Sequence, residues 1–344
     1  MAVRVAAVGC GYWGPNVIRN LETVPGFELC CICDTDEDRL RPVAARYPAA
    51  RATTDIADIF DDPTIDAVYL STPVSTHYEL VKRALNSNKH VLVEKPLATT
   101  VDQAEDLARS AGARGLTLMV GHTFVFSPPV RKVKELLDAG LIGPIYYVET
   151  TRVNLGLFQK DVSVLWDLGP HDVSILLYWL GEVPIQVSAR GRSYMGEALE
   201  DVAFLTLEFP SGILAQMQIS WLAPSKLRRT SLVGRQRMIV YDDVEPVEKV
   251  KVYDRGVDRQ PASFGEFQLT YRSGDILSPR LDTTEPLYIE CTHFLECIQT
   301  GREPDTSPRT GVEVVRVIQA AERSLRAGGA PQSVYEALAI ERTP

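Results

Sequence analysis

The chain is short of several features that would fix its function at once. It has no long run of lysine and arginine, and its 36 basic residues are outnumbered by 45 acidic ones, for a formal charge of −9. That balance repels a phosphate backbone and excludes nucleic acid as an expected partner. The five histidines, at 77, 90, 122, 171 and 293, show neither H-E-x-x-H nor a Cys/His finger spacing, so no metal site is expected. The opening segment carries one early basic residue, and its apolar run breaks at Gly9, too short for a signal peptide or a membrane span. The expectation is a cytoplasmic protein with no membrane partner. Six cysteines, at 10, 30, 31, 33, 291 and 297, fall mostly in apolar strand-like stretches and read as reduced core thiols.

What is present is a chain of 344 residues, 45% hydrophobic and 24% charged, enough for two ordinary globular domains without disulfide or metal staples. From Val3 to about Gly121, short β-branched runs alternate with amphipathic stretches, the pattern of a parallel sheet with crossover helices. Strands are expected at Arg4 to Val8, Phe27 to Asp34, Ala67 to Ser71, His90 to Glu94 and Thr117 to Val120. Helices are expected near Pro15 to Thr23, Asp36 to Tyr47, Ser75 to Asn86 and Thr100 to Ala113, with Ser75 and Thr100 suited to cap the last two. Beyond Gly121 the rhythm changes. Runs such as VAFLTLEF, ILAQMQISW and RMIVYDD are separated by Gly, Pro or charged turns and predict an antiparallel sheet. Helical periodicity returns over 286–300 and 309–326, while the polar stretch 255–285 has no assignment. The division expected is 1–121 and 122–344.

Gly9-Cys10-Gly11-Tyr12-Trp13-Gly14 is a G-x-G-x-x-G motif standing directly after a strand and before a helix. In that context Gly9 permits the tight turn, Gly11 lets backbone N–H groups reach a pyrophosphate, and Gly14 lets the helix pack closely with its N-terminus toward the anion. Tyr12 and Trp13 lie in the same turn and count as cofactor contacts. Asp34 follows twenty residues after Gly14, at the end of the second apolar run, where a carboxylate binds ribose hydroxyls. The acidic residues behind it, Asp36, Glu37 and Asp38, would repel a 2′-phosphate, so the expected cofactor is NAD. Ser71, Thr72 and Pro73, with His77 close behind, lie at the carboxyl edge of the same sheet and are further cofactor candidates. For His77, packing or capping is an equal alternative.

At His90 to Pro96 the chain reads HVLVEKP, with Glu94 and Lys95 at the end of a buried strand, and Asp167 to His171 read D-x-G-x-H. The E-K-P tripeptide after a dinucleotide-binding half, followed by the second motif, resembles the glucose-fructose oxidoreductase, inositol dehydrogenase and MocA family over nearly the whole chain. The resemblance implies an α/β fold: an N-terminal Rossmann doubly wound parallel sheet, then an α/β domain with a large, mainly antiparallel open sheet. That sheet would carry contacts of a homodimer or homotetramer on one side and the substrate site on the other. The resemblance also implies that Lys95, His171 and Asp167 are catalytic, and that Glu94 and Lys95 touch the cofactor. The chemistry agrees: oxidation of a secondary alcohol needs a base for the hydroxyl proton, for which histidine is suited, and a nearby ammonium favours the developing alkoxide. Pro170 often marks a first helical turn, which leaves Asp167 either on one helical face with His171 or just before the helix.

The segment Gly121-His122-Thr123-Phe124 and the run from Arg152 to Asp167 are similar to the subgroup acting on nucleotide-linked amino sugars, of the UDP-N-acetylglucosamine 3-dehydrogenase kind. This implies a sugar or sugar-nucleotide substrate, oxidised at position 3 of an N-acetylhexosamine. His122, Asn154, Asp167, His171 and Lys95 are then substrate contacts, with Tyr147 and Gln159 as further candidates for sugar hydroxyls, and the chain offers Lys226, Arg228, Arg229, Arg235 and Arg237 as cations for a diphosphate. Strand alternation would put Lys226 and Arg228 on one face and Arg229 on the other. An inositol or free-sugar dehydrogenase, a keto-sugar reductase and a non-catalytic NAD sensor are the alternatives.

Overall fold

In the computed structural model of the chain, the residues described are 2–156, 158, 162–196, 199–263 and 266–335. They divide into two compact units, one formed by 1–127 with 284–315, the other by 128–283 with 316–344. The first unit alternates strand and helix: β1 (Val3–Val8), α1 (Gly14–Thr23), β2 (Phe27–Cys33), α2 (Glu37–Ala44), β3 (Arg51–Thr53), α3 (Ala57–Phe60), β4 (Ala67–Leu70), α4 (Val74–Asn86), β5 (His90–Glu94), α5 (Val101–Arg114) and β6 (Leu118–Gly121). All six strands are parallel, in the order β3-β2-β1-β4-β5-β6. Chain order reverses between β1 and β4, and open α/β sheets bind ligands outside the strand ends at such a reversal. β4 is buried at every position, as a strand covered on both faces must be.

Local signals explain the helix starts. Asp36 accepts from the backbone N–H of Asp38 and Arg39 ahead of α2, and Thr100 accepts from that of Gln103 ahead of α5. Ser75 does not cap: α4 begins at Val74 behind Pro73, whose preset backbone starts the turn instead. Cys30 and Cys33, spaced as C-x-x-C, both lie on β2, where residues three apart point to opposite faces, and all six thiols are free.

The second unit contains α6 (Pro128–Asp138), β7 (Ile145–Leu155), α7 (Val164–Leu180), β8 (Gln186–Arg192), β9 (Val202–Glu208), β10 (Leu214–Ser220), β11 (Leu222–Gly234), β12 (Met238–Asp242), β13 (Val250–Ser263) and β14 (Glu266–Leu277). The unassigned polar stretch is therefore largely a long antiparallel pair, β13 and β14, whose polar composition hid its strand character. α8 (Pro286–Thr300) then belongs to the first unit, α9 (Pro308–Arg326) crosses the division, and β15 (Gln332–Ser333) closes the second sheet. That sheet runs β14-β13-β12-β11-β7-β10-β9-β8-β15, antiparallel throughout except for the β7–β10 pair. β9 alternates strictly, with Ala203, Leu205 and Leu207 buried and Phe204, Thr206 and Glu208 exposed. One face of this sheet is thus an apolar core and the other is open.

Among the described residues, no helix is long and apolar enough to cross a membrane, and no group of three or more His, Cys, Asp or Glu residues is arranged to hold a metal ion.

Candidate active site

The motif residues of the first unit gather at the carboxyl ends of β1, β2, β4 and β5. Gly9 has φ +102°, and a Cβ there would stand 2.5 Å from the Ser71 carbonyl oxygen. A Cβ on Gly14 would stand 2.0 Å from the Gly9 oxygen, so the turn closes only without side chains at both positions. Gly11 is different in kind. A Cβ there would meet nothing within 4 Å, and this is where a pyrophosphate has room to approach the backbone. Behind it α1 starts with no side-chain cap and no acidic residue in its first turn, leaving its N–H groups and the positive end of its dipole for an anion.

Asp34 is nearly buried and bonds on both sides. One carboxylate oxygen accepts from Cys10 N at 2.6 Å, the other from Asp36 N at 2.8 Å. It therefore fixes the glycine-rich turn and stands at the end of β2, as the ribose-binding carboxylate of a dinucleotide fold must. The arginines that follow, Arg39 and Arg41, pair with Asp36, Glu37 and Asp38. These features fit NAD and disfavour a 2′-phosphate.

The next turn is braced from within. Ser71 Oγ donates to the Gly9 carbonyl at 3.0 Å, and Thr72 Oγ1 bonds Thr76 Oγ1 at 2.7 Å. His77 is buried, with Nδ1 2.8 Å from the Pro96 carbonyl and Nε2 2.9 Å from that of Thr72. Both ring nitrogens thereby face backbone oxygens, the neutral ring donating its one N–H to one of them, and His77 lies between the Thr72 turn and the E-K-P turn. Between Lys95 and Pro96 the peptide is cis.

Sequence reasoning missed how Glu94 is used. Its Oε1 accepts from the Trp13 indole at 2.8 Å and from the Tyr69 hydroxyl at 3.1 Å, joining the glycine-rich turn to the strand that ends at Lys95. Loss of solvent raises its pKa to about 7, against the pull of Lys95. His122 follows β6, buried, with no bond to either ring nitrogen. Burial, helped by Lys95, lowers its pKa to about 3, so it is a neutral imidazole.

In the second unit, Asp167 and His171 both lie on α7, one turn apart. Pro170 sits inside this helix, not at its start. Ser163 is the N-cap and the Asp167 N–H already bonds its carbonyl at 3.0 Å, which settles the alternative left open by the sequence. The Trp221 indole donates to Asp167 Oδ2 at 3.1 Å, an aiming contact that no local pattern announces. Asp172, next in α7 after His171, forms a buried two-pronged pair with Arg152 of β7, at 2.8 and 2.9 Å. Asn154 lies two residues farther along β7, partly exposed.

The expected diphosphate cations do not act as a set. Arg228 donates to Asp243 at 3.2 Å, and Arg237 lies 3.5 Å from Asp254. Lys226 is exposed, but the pairing of β11 with β7 shifts register between Leu222 and Leu227, so alternation cannot be carried from Arg228 back to Lys226. Gln159, another candidate for sugar hydroxyls, lies outside the described residues.

A parallel sheet with a glycine-rich turn at its order reversal and a carboxylate at the end of β2 defines a dinucleotide-binding fold. Comparison with known proteins gives the family. Residues 3–122 match the oxidoreductase family with an NAD-binding Rossmann fold, and residues 130–240 match the GFO/IDH/MocA C-terminal domain. The chain belongs to the Gfo/Idh/MocA family. It is an NAD-dependent oxidoreductase of the class acting on CH–OH groups. It is 28% identical over 341 residues to a scyllo-inositol 2-dehydrogenase (NAD(+)) of Bacillus subtilis, covering 95% of each chain. It is 32% identical over 227 residues to inositol 2-dehydrogenase 2 of Saccharopolyspora erythraea, covering 64% of this chain and 67% of the other. The structure of UDP-N-acetylglucosamine 3-dehydrogenase from Acidithiobacillus ferrooxidans shares the fold, with TM-score 0.79 and 24% identity over 95% of this chain and 98% of that one.

Proposed function

We propose that the protein oxidises a secondary hydroxyl of a sugar to a ketone, with position 3 of a nucleotide-linked N-acetylhexosamine as the favoured substrate. The observation that carries the oxidation is the collection of the glycine-rich turn, Asp34 and Lys95 at one sheet edge. Residues 1–121 would hold NAD through Gly9, Gly11, Tyr12, Trp13, Gly14, Asp34, the Ser71-Thr72-Pro73 turn, Glu94 and Lys95, with His77 acting through the turns it lies between. Residues 122–344 would supply the substrate and oligomer contacts. NAD held there would supply the hydride acceptor. His171 takes the hydroxyl proton, Lys95 stabilises the alkoxide as it forms, and Asp167, held by Trp221, orients the imidazole or a neighbouring hydroxyl. His122, neutral in its buried setting, and Asn154 are the remaining sugar contacts. Lys226 carries the diphosphate reading better than Arg228, which is already paired.

The inositol 2-dehydrogenase relatives favour a second reading, a cyclic polyol as substrate. A panel of UDP-sugars, inositols and free aldoses, followed by NADH absorbance, separates the two. Turnover of UDP-N-acetylglucosamine above all polyols is the expected result, and turnover of inositols alone would replace the first reading with the second. Gly11→Ala isolates the cofactor part. It is expected to leave thermal stability nearly unchanged, because nothing lies near the new methyl, and to weaken NAD binding about tenfold or more through lost backbone approach. Unchanged affinity would remove the turn from the cofactor site.

Six free thiols fit the reducing cytoplasm, which cell fractionation checks. On the open sheet face Leu214 and Tyr147 are cross-strand partners on β10 and β7, each about half exposed, and the equally exposed Phe204 of β9 lies four residues farther along, opposite Gln218. Such a patch on a sheet centre fits a homodimer or homotetramer, and light scattering of the purified chain at its monomer mass would refute it.

A further inference from the structure

Trp13 occupies a position of the glycine-rich turn that suits a different kind of residue. It stands at the N-cap of α1, where Ser, Thr, Asp or Asn is favoured, and its side chain makes no capping bond. An indole has one donor and no acceptor. Although Trp13 is 36% exposed and could give that N–H to water, it donates instead to Glu94 Oε1 at 2.8 Å, across 81 residues. Glu94 ends β5, one residue before Lys95. Its Oε1 also accepts from the hydroxyl of Tyr69, a wholly buried residue of β4, at 3.1 Å. A methyl on Gly121, the cross-strand partner of Glu94 on β6, would stand 3.1 Å from the same oxygen, so the carboxyl has no room to swing that way. The side chain preceding Lys95 is therefore held from the turn, from β4 and from β6. We propose that Trp13 is a positioning residue of the oxidation: by bonding the Glu94 carboxyl it ties the strand end that presents Lys95 to the glycine-rich turn. This rests on the reading of Lys95 as a residue of the reacting centre.

The bond joins two ligand-facing parts of one sheet edge. The Trp13 carbonyl accepts from Asn16 N at 3.0 Å, which makes its backbone the first link of α1, the helix whose N-terminus is open to an anion. A pyrophosphate bound there restrains that backbone, and the indole passes the restraint to Glu94. A buried carboxylate is costly unless donors meet it, and the indole is one of the donors that meet this one. Without it the carboxyl keeps Tyr69, loses its link to the turn and takes up a proton more readily. The ionisable groups around Glu94 and Lys95 are the Tyr69 hydroxyl from β4, His122 behind β6, and Glu290 and Cys291 of α8. Burial keeps Tyr69, Glu290 and Cys291 protonated and His122 neutral, which leaves Lys95 as the cation acting on Glu94. Burial raises the pKa of Glu94 to about 7 against the pull of Lys95, Tyr69 and Trp13, so loss of the indole bond moves it higher.

Phenylalanine at this position keeps an aromatic ring and removes the N–H. In Trp13→Phe the dissociation constant of NAD is expected to change by no more than a few-fold, kcat to fall about tenfold, and the acid limb of kcat/KM to rise by about one pH unit. Tyr69→Phe withdraws the other donor from outside the turn and is expected to move the limb in the same direction. A weaker hold on NAD with kcat and the limb unchanged would make Trp13 a cofactor contact alone; that result, or native behaviour throughout, overturns the proposal. A second measurement needs no substrate. With the indole nitrogens of the four tryptophans isotopically labelled, one N–H resonance is expected to move with pH about a midpoint near 7, to stand still in Glu94→Gln and to be missing from Trp13→Phe. If no indole resonance loses its pH response in Glu94→Gln, the bond does not act on an ionising Glu94 and the proposal fails, whether or not Trp13→Phe folds. Absence of turnover on every sugar in the panel overturns the substrate reading alone, because the indole resonances are read without it.

Discussion

Lys95→Ala and His171→Ala are each expected to lower kcat/KM by about 10²–10⁴-fold while changing the dissociation constant of NAD by no more than a few-fold. The size follows from the roles. Removing the proton acceptor leaves a neutral alcohol that is a poor hydride donor, and removing the ammonium leaves the alkoxide to form without a counter-charge. Neither deletion touches the features that fix the glycine-rich turn: those are the Gly9 and Gly14 backbones and the Asp34 bond to Cys10 N. Initial rates and NAD titrations of the two variants check this. Full turnover in both would discard the mechanism, whereas loss of NAD binding in Lys95→Ala would make the lysine a cofactor contact first. A second distinction lies in additivity. If the two groups act on one proton transfer, the double variant loses little more than the worse single one.

The first unit was the more legible half because its physics is local. A Gly-x-Gly-x-x-Gly turn needs three small residues at fixed positions, a buried parallel strand needs a β-branched run, and a helix start needs a cap. Each of these is written within about twenty residues. Where one of these signals was overread, as at Ser75, a neighbouring proline performed the same task. Contacts that carry the site across long sequence separations left no such mark. Trp13 to Glu94, Trp221 to Asp167, and Glu290 beside Thr123 join residues 81, 54 and 167 positions apart. Only the fold brings them together. The polar hairpin β13–β14 illustrates another limit: beyond Val252 none of its described residues is buried, so it lacks the alternation of buried and exposed positions by which strands are recognised.

Arg152 shows what such a hidden contact is worth. Its guanidinium and the Asp172 carboxylate are almost wholly removed from water, at 3% and 6% side-chain exposure, and meet in a fork-to-carboxylate geometry. Asp172 directly follows His171, so this pair pins α7 to β7 at the turn that presents the proposed base. Arg152→Ala leaves a buried, uncompensated carboxylate, and a loss of about 3–5 kcal/mol is expected, seen as a fall in Tm on the order of 10 °C. Coulomb attraction is not the main reason. Both ions have already lost hydration, and the cost appears when one is left without its partner. The double variant Arg152→Met with Asp172→Leu removes both charges, and is expected to recover most of the lost stability. Turnover is expected not to follow, because the restored apolar packing no longer dictates the rotation of α7 and with it the direction of His171. Denaturation curves for the three variants, read beside their kcat values, test both halves. A double variant as unstable as Arg152→Ala would show that cavity formation, not the stranded charge, sets the cost. Recovered stability with full kcat would show that the pair holds the helix without aiming the histidine.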